Sequence, residues 1–206
     1  MTVTISPAFL LDVRSGEPVE AELWDSITDR QIRDWEEQWV PARNDGLRCL
    51  ERQHWPQDSH WDWRKKASAM QGLLAFPGFS IMCNGATQGL MFVERTLHRC
   101  QLPQQAGKNL IYVEFLETAP WNRKELFDPP SYKGVGTLLI RAAVELSREE
   151  DFKGRIGLHS LPQANDWYMN VCGMTNLGPD VQKQKLHYFE MTTAQAEAFI
   201  TKGNPS

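Results

Sequence analysis

The spacing of apolar residues in the first third of the chain is helical. Residues 26–41 place apolar side chains on one helical face, with Ser26 or Thr28 available as the N-terminal cap and Pro41 as the expected end. A second helix is predicted over about residues 59–74. Six of the eight tryptophans lie in this part of the chain, so we expect a helical, tryptophan-rich N-terminal region.

Further along, the apolar pattern becomes that of strands. Residues 79–85 and 88–98 are two β-prone runs separated by Asn-Gly, which is a strong hairpin signal. The run at 109–118, NLIYVEFLET, is nearly all apolar apart from two glutamates. Such a composition predicts a central strand that is buried on both faces.

The remaining elements alternate between helix and strand. A loop with three prolines precedes an amphipathic helix, which is followed by a strand, a short helix and a last strand. The predicted ranges are 119–134 for the loop, 136–149 for the helix, and then 154–161, 162–173 and 185–191. This order predicts an α/β (α+β) fold with a mixed sheet.

Composition and charge limit the classes of function. The chain has 206 residues, 41% of them hydrophobic, and a net charge of −4. These values are typical of a soluble globular protein, and they give no general electrostatic reason to bind nucleic acid. We expect no membrane segment and no leader sequence, and the four scattered cysteines indicate a reduced, cytoplasmic protein.

Two glycines stand at the start of the helix over 136–149. Gly134 and Gly136 follow a predicted strand and loop, where a helix N-terminus offers unpaired N–H groups to a phosphate. A tight turn that needs glycine for its dihedral angles is the structural alternative. Lys133 precedes the glycines, which excludes a Walker loop, and Leu139 occupies the position of the third glycine of a dinucleotide-binding fingerprint.

Three motifs in this order resemble the GCN5-related N-acetyltransferase (GNAT) superfamily. SYKGVG at 131–136 matches [Arg/Gln]-x-x-Gly-x-[Gly/Ala] except at Ser131. LPQANDWYMNVCGM at 161–174 places Ala164 and Tyr168 in register with a second motif, although its first residue is Leu rather than Asn and its glycine comes one residue late. TAPWNR at 118–123, upstream of both, is similar to a third motif, Val-x-Pro-x-[Tyr]-Arg, at the end of the family's strand four.

The resemblance implies a GNAT-like, mostly antiparallel sheet flanked by helices and splayed between the family's strands four and five. It implies a single domain over 1–206, with a helical N-terminal part at 1–75 and an acetyl-CoA-binding core at 76–190. It also implies that Tyr168 protonates the leaving thiolate. The residues expected at the acetyl-CoA site are Leu116, Glu117, Thr118, Ser131, Tyr132, Lys133, Gly134, Val135, Gly136, Thr137, Ala164 and Tyr168.

A carboxylate on the predicted central strand is the expected catalytic base. Glu114 and Glu117 are candidates because a carboxylate inside an apolar strand is costly unless paired and often has a raised pKa. The resemblance implies Glu114 as the first choice, since some family members use a glutamate at the same alternation on this strand, and Glu117 is the second. The alternative for either is a salt bridge to an arginine such as Arg123 or Arg155. His159, at the end of the next strand, is a further candidate for proton relay, with an ordinary hydrogen bond as its alternative.

The acceptor is expected to be the amine of a small molecule or a protein. An aromatic cleft beside the early helices suits a cation, although Trp35 and Trp39 also suit an ordinary core. We expect direct attack of the amine on acetyl-CoA in a ternary complex, no membrane or nucleic-acid partner, and allow for a homodimer. The alternatives are a non-catalytic acyl-CoA-binding module and, more distantly, a toxin that acetylates tRNA.

One further cluster has the residue types of a metal site. His54, Asp58, His60 and Asp62 lie within nine residues of one another. Their spacing matches no standard metal site, so we expect no metal.

Overall fold

The chain builds nine strands and six α-helices in the computed structural model, which describes residues 3–202. The strands are β1 Ile5–Asp12, β2 Pro18–Trp24, β3 Gly78–Cys83, β4 Ala86–Glu94, β5 Ile111–Thr118, β6 Tyr132–Lys133, β7 Ile156–Ser160, β8 Thr175–Asp180 and β9 Leu186–Met191. The α-helices are α1 Asp29–Asp34, α2 Val40–Arg48, α3 Trp63–Met70, α4 Val135–Glu149, α5 Asn165–Asn170 and α6 Thr193–Lys202. A π-helical turn covers Trp35–Trp39, and short 3₁₀ turns cover Arg52–His54, Gln57–His60, Pro103–Gln105, Pro120–Asn122, Pro162–Ala164 and Val181–Lys183.

The strands form one sheet in the order β6-β1-β2-β3-β4-β5-β7-β9-β8. Most neighbours are antiparallel, whereas β5 and β7 are parallel. This confirms the predicted mixed, mostly antiparallel sheet flanked by helices. Within residues 3–202, no helix is both long enough and apolar enough to cross a membrane.

The chain divides into two compact units. Unit 1 comprises Met1–Phe92 and Phe115–Leu139, and unit 2 comprises Val93–Glu114 and Ile140–Ser206. The predicted division at residue 75 does not coincide with this one. The single domain over 1–206 stays a prediction, and its ends at 1–2 and 203–206 lie outside the described residues.

The core of unit 1 is built largely from tryptophans. Trp35, Trp39 and Trp63 are buried there with Ile32 and Phe92. The ring of Trp63 stacks on Phe92 with centroids 5.9 Å apart, and the indole of Trp39 donates a 2.9 Å hydrogen bond to the carbonyl of Thr87. Trp35 and Trp39 are therefore core residues, which was the alternative to their lining a cleft.

The prediction that residues 1–75 are helical is wrong at their start. Residues 5–24 form the β1–β2 hairpin, in which Leu10 and Ala21 point into the core. Pro7 interrupts the strand pattern in the sequence. It is tolerated because β6 covers β1 only at Leu11 and Asp12, so that Pro7 lies on an edge where a missing N–H costs little.

The prediction that Pro41 ends the first helix is also wrong. Thr28 caps α1 as expected, but the helical run continues through the π turn into α2. Val40 closes the π turn by donating to the carbonyl of Trp35. Pro41 consequently falls in the first turn of a new α-helical segment, where its missing N–H is tolerated.

Unit 2 contains two elements that the sequence pattern did not predict. Strand β8 is an edge strand with an irregularity between Asn176 and Gly178, and its glycine and proline resemble a loop in the sequence. Helix α6 begins with a reciprocal cap: Gln195 N donates to Thr192 Oγ1 at 3.2 Å, and Thr192 N donates to Gln195 Oε1 at 2.8 Å. That Thr-x-x-Gln signal was present in the sequence.

Gly89 provides a test of how closely β4 and α4 pack. A Cβ atom at this position would lie 2.6 Å from Val135 Cγ1 and 3.0 Å from Leu139 Cδ1. We expect Gly89→Ala to lower the free energy of unfolding by about 1–3 kcal/mol because the core is overpacked. In urea unfolding, adding Val135→Ala should recover part of that loss, whereas purely additive effects of the two changes would contradict this packing.

Candidate functional site

Gly134 lies at the junction between β6 and α4. Its φ angle is +99°, a region that favours glycine, and its carbonyl accepts from Leu138 N at 2.9 Å, which makes it the cap of α4. A Cβ atom placed there would meet only Leu10 Cδ2, at 3.8 Å. Glycine is thus favoured by the backbone angle and not by crowding around its Cα atom.

The first turn of α4 has the properties of an anion cradle. The N–H groups of Val135, Gly136 and Thr137 precede the first residue that can bond within the helix, and the helix dipole places partial positive charge there. No acidic side chain lies in this first turn. A phosphate group therefore fits the charge and the hydrogen-bonding capacity of the turn.

The loop before the glycines is fixed by hydrogen bonds. The side-chain oxygen of the buried Gln88 accepts from Trp121 Nε1 at 2.8 Å and from Asn122 Nδ2 at 2.9 Å. Asn122 Oδ1 accepts from Tyr132 N at 3.0 Å, and Trp121 O accepts from Ser131 N at 2.8 Å. The backbone that enters the cradle is consequently held to β4 before any ligand binds.

The end of β5 lacks ladder partners on one side. Its parallel ladder with β7 pairs only Ile111–Val113 with Ile156–Leu158, although β5 continues to Thr118. Ala119 N, just beyond, donates to the carbonyl of Gln88 at 2.8 Å. Leu116–Thr118 therefore lie on a firmly attached strand end whose main chain this parallel ladder does not use.

Glu117 is a carboxylate in the interior of unit 1. Its Oε2 accepts a 2.5 Å hydrogen bond from Trp63 Nε1. Its Oε1 lies 4.0 Å from Arg43 Nη1 and 3.9 Å from Arg123 Nη1. Burial, reinforced by the charge of Asp58, raises the pKa of Glu117 to about 7, against the opposing effects of Trp63 and the two arginines.

Arg123 connects Glu117 to a second buried carboxylate. Its guanidinium binds Asp58 with two hydrogen bonds of 2.8 and 3.1 Å. The predicted salt-bridge alternative for Glu117 is thus present with Arg123, whereas Arg155 donates instead to the carbonyl of Asn109. Asp58 belongs to this ion-pair cluster, and within residues 3–202 no three His, Cys, Asp or Glu side chains converge as a metal site.

Tyr168 lies in unit 2, on α5. Its ring is buried against Trp167 and Phe189, with centroids 4.9 and 5.8 Å away. Burial raises the pKa of Tyr168 above its usual range, so the phenol stays protonated at neutral pH. Ala164, half-buried, is the residue before α5.

His159 is hydrogen-bonded, as in the alternative to a role in proton relay. Its Nδ1 lies 2.7 Å from the hydroxyl of Tyr112, and its Nε2 lies 3.0 Å from Asp180 Oδ2. Burial lowers the pKa of His159, although Asp180 opposes that shift. Glu114 is half-buried on β5, where its charge is one of the causes that raise the pKa of the buried Tyr112.

Several of these partners were not among the residues predicted from the sequence. They are Trp63, Arg43 and Gln88 around Glu117 and the cradle, and Tyr112 and Asp180 around His159. These contacts join segments that are distant in the chain, so no local pattern could reveal them. The apolar run in β5 with a glutamate inside it was the one usable signal.

Comparison with known proteins supports the fold but not a closer relationship. No family model matches the chain, and no curated protein matches it in sequence. The structure of Mycobacterium smegmatis RimJ in complex with CoA-disulfide is similar, with a TM-score of 0.54 and 13% identity over 98% of this chain and 95% of that chain. The chain has a GNAT-like fold.

Two further acetyltransferase structures show the same likeness. One is a putative arylalkylamine N-acetyltransferase 7 from the mosquito Aedes aegypti, with a TM-score of 0.53 and 12% identity over 93% of this chain and 95% of that one. The other is the aminoglycoside acetyltransferase AAC(6')-Ib in complex with coenzyme A and kanamycin, with a TM-score of 0.51 and 14% identity over 96% and 98%. At such identities the likeness shows the fold alone.

Glu117 should make stability depend on pH. The folded chain holds its proton up to about pH 7, whereas an ordinary glutamate releases it near 4.5. Glu117 therefore makes its whole contribution to the free energy of unfolding below pH 4.5. This contribution of about 3 kcal/mol is lost as the pH rises through 7. We expect Glu117→Gln to gain this amount relative to wild type between pH 4.5 and 8.

Guanidinium chloride unfolding at several pH values measures this effect. Glu125→Gln is the matched control, since Glu125 also binds Arg123 but its side chain is 44% exposed. Parallel pH curves for wild type and Glu117→Gln would contradict the buried, weakly acidic state of this carboxylate.

Proposed function

We propose that the chain is an acyl-CoA-dependent N-acyltransferase that moves an acetyl group from a thioester to a primary amine. The observation that carries the proposal is the glycine turn at Gly134, which opens the N-terminus of α4 on a GNAT-like fold. The RimJ and AAC(6')-Ib structures contain CoA-disulfide and coenzyme A respectively, which supports a CoA thioester as the donor.

In unit 1 the residues of the chain suit two parts of the donor. The N–H groups of Val135, Gly136 and Thr137 would bind the diphosphate, with Ser131, Tyr132 and Lys133 leading into the turn. Main-chain groups of Leu116–Thr118 would bind the pantetheine and the thioester carbonyl. A backbone cradle tolerates Ser131 in place of Arg or Gln, because it depends on N–H groups rather than on that side chain.

The reaction forms a C–N bond and breaks the C–S bond of the thioester. The attacking amine must lose a proton, and the leaving thiolate must gain one. We propose Glu117 as the base because its pKa of about 7 suits proton uptake at neutral pH. Glu114, the first choice from the sequence, is the alternative base. Tyr168, the acid that the resemblance to the GNAT superfamily implies, would supply the proton to sulfur.

A non-catalytic acyl-CoA-binding protein is the second candidate. It is favoured by the departures from the motifs, namely Ser131, Leu161 and the late Gly173. Both candidates would bind acyl-CoA at the same site, but the second would catalyse no acyl transfer.

Binding of acetyl-CoA tests what both candidates share. We expect isothermal titration calorimetry to give a micromolar dissociation constant, which Gly134→Asp weakens about tenfold relative to Gly134→Asn. These two variants carry the same backbone strain, so the difference reports the added charge in the cradle. Gly107→Asp, at an exposed turn glycine of unit 2 with φ +76°, is the control for an added charge elsewhere and should bind as wild type does. Failure of the wild-type protein to bind would reject the proposal.

Turnover separates the two candidates. Release of free CoA should be followed over a panel of arylalkylamines, aminoglycosides and peptides with free amino termini. We expect Tyr168→Phe to lower kcat about 100-fold while acetyl-CoA affinity is unchanged. Turnover that is equal in wild type and Tyr168→Phe would exclude this tyrosine as the acid, and a wild type that binds without turnover would establish the non-catalytic candidate.

The pH profile identifies the base. With Glu117 as base, kcat/KM should rise with pH through an apparent pKa near 7 and then level off, because only the ionised carboxylate accepts a proton. Glu117→Gln should abolish this limb, whereas Glu114→Gln should keep it. A profile that loses the limb only in Glu114→Gln would assign the base to Glu114.

A further inference from the structure

Two aromatic rings of unit 1 hold the end of a lysine side chain. Trp61 and Phe115 pack edge to face, with ring centroids 5.3 Å apart. Lys66 Nζ lies 3.2 Å from the centroid of Phe115 and 4.4 Å from that of Trp61. Both distances are well within the roughly 6 Å range of cation–π attraction, so the two rings form a site for an ammonium group.

This aromatic pair lies beside the residues assigned to the chemistry. Phe115 directly precedes Leu116–Thr118 on β5, the segment proposed to bind the thioester carbonyl. Trp63 follows Trp61 by two residues, and Glu117 follows Phe115 by two. The indole of Trp63 donates the 2.5 Å hydrogen bond to Glu117. The rise of a strand places the Cα atoms of Phe115 and Glu117 about 7 Å apart. An ammonium group between the rings is thus close to the proposed base.

The surroundings leave both rings partly accessible. Trp61, Phe115 and Lys66 are each half-buried, in contrast to the buried Trp63 and Glu117. The carbonyl of Trp61 accepts from Arg43 Nη1 at 3.2 Å, which fixes the backbone that carries this ring. Lysine carries its ammonium group on a flexible four-carbon stem.

We propose that Trp61 and Phe115 form the ammonium subsite for the acceptor, and that Lys66 occupies it as an internal alkylammonium group until an acceptor replaces it. The acceptor class is then a protonated primary alkylamine, including a lysine-like side chain. The assignment of this subsite to an acceptor rests on the proposed transferase function. Binding of an ammonium group by the two rings can be tested without acetyl-CoA.

A lysine that merely fastens α3 to β5 predicts a different result from a lysine that occupies a ligand site. Removal of a fastening lysine lowers stability and leaves amine binding unchanged. Removal of an occupying lysine opens the subsite to an external ammonium ion. The probe is n-butylammonium, which matches the lysine side chain, with n-butanol as its uncharged counterpart.

The experiment titrates these probes into protein labelled with 5-fluorotryptophan and follows the Trp61 signal by ¹⁹F NMR. We expect Lys66→Ala to bind n-butylammonium about tenfold more tightly than wild type, with no gain for n-butanol. Adding Trp61→Leu should remove the gain. Lys65→Ala is the matched control, because Lys65 neighbours Lys66 on α3 but has an 85% exposed side chain paired with Asp62.

Equal binding of n-butylammonium by wild type and Lys66→Ala would overturn the inference, as would an equal gain for n-butanol. Should Lys66→Ala unfold, Lys66→Ser and Lys66→Gln repeat the comparison. Acetyl-CoA calorimetry on the same samples separates a failure of the ammonium subsite from a failure of the proposed transferase function. Acetyl-CoA binding without the ammonium gain rejects the subsite alone, whereas an ammonium gain without acetyl-CoA binding rejects the transferase function and with it the acceptor role.

Discussion

The packing of unit 1 depends on one buried carboxylate, that of Glu117. Burying a charged carboxylate is costly unless partners offset the loss of hydration, and Glu117 has three: the indole of Trp63 and the guanidinium groups of Arg43 and Arg123. Each partner comes from a different part of the chain. The need to surround this one group therefore joins α2, the start of α3, β5 and the loop after β5.

The same arrangement accounts for the placement of the proposed chemistry. The segment that supplies Trp63 also supplies Trp61. The strand that supplies Glu117 also supplies Phe115 and the main chain of Leu116–Thr118, which the parallel ladder with β7 does not use. The loop after β5 continues through Trp121 and Asn122, which are fixed on Gln88, to the glycine turn. The proposed base, the proposed ammonium subsite and the proposed phosphate cradle therefore all lie in unit 1, while Tyr168 belongs to unit 2.

Local signals predicted the central part of the fold well. Asn84 and Gly85 adopt the positive φ angles that a hairpin turn requires, and the apolar stripe of α4 lies where its spacing predicted. The errors have physical causes in the context of each residue. Pro41 was predicted to end a helix, but the π turn before it accommodates it inside a longer helical run. The partners of Glu117 depend on tertiary packing, which no spacing rule encodes.

The central claim is that the Gly134 turn and the end of β5 bind an acyl-CoA together. Amide hydrogen exchange with and without saturating coenzyme A tests it most directly, because the proposed contacts are made by main-chain N–H groups. The account predicts slower exchange at Val135–Thr137 and Leu116–Thr118, with little change in the β1–β2 hairpin. Unchanged exchange at both segments when coenzyme A is bound, or protection confined to another part of the chain, would contradict it.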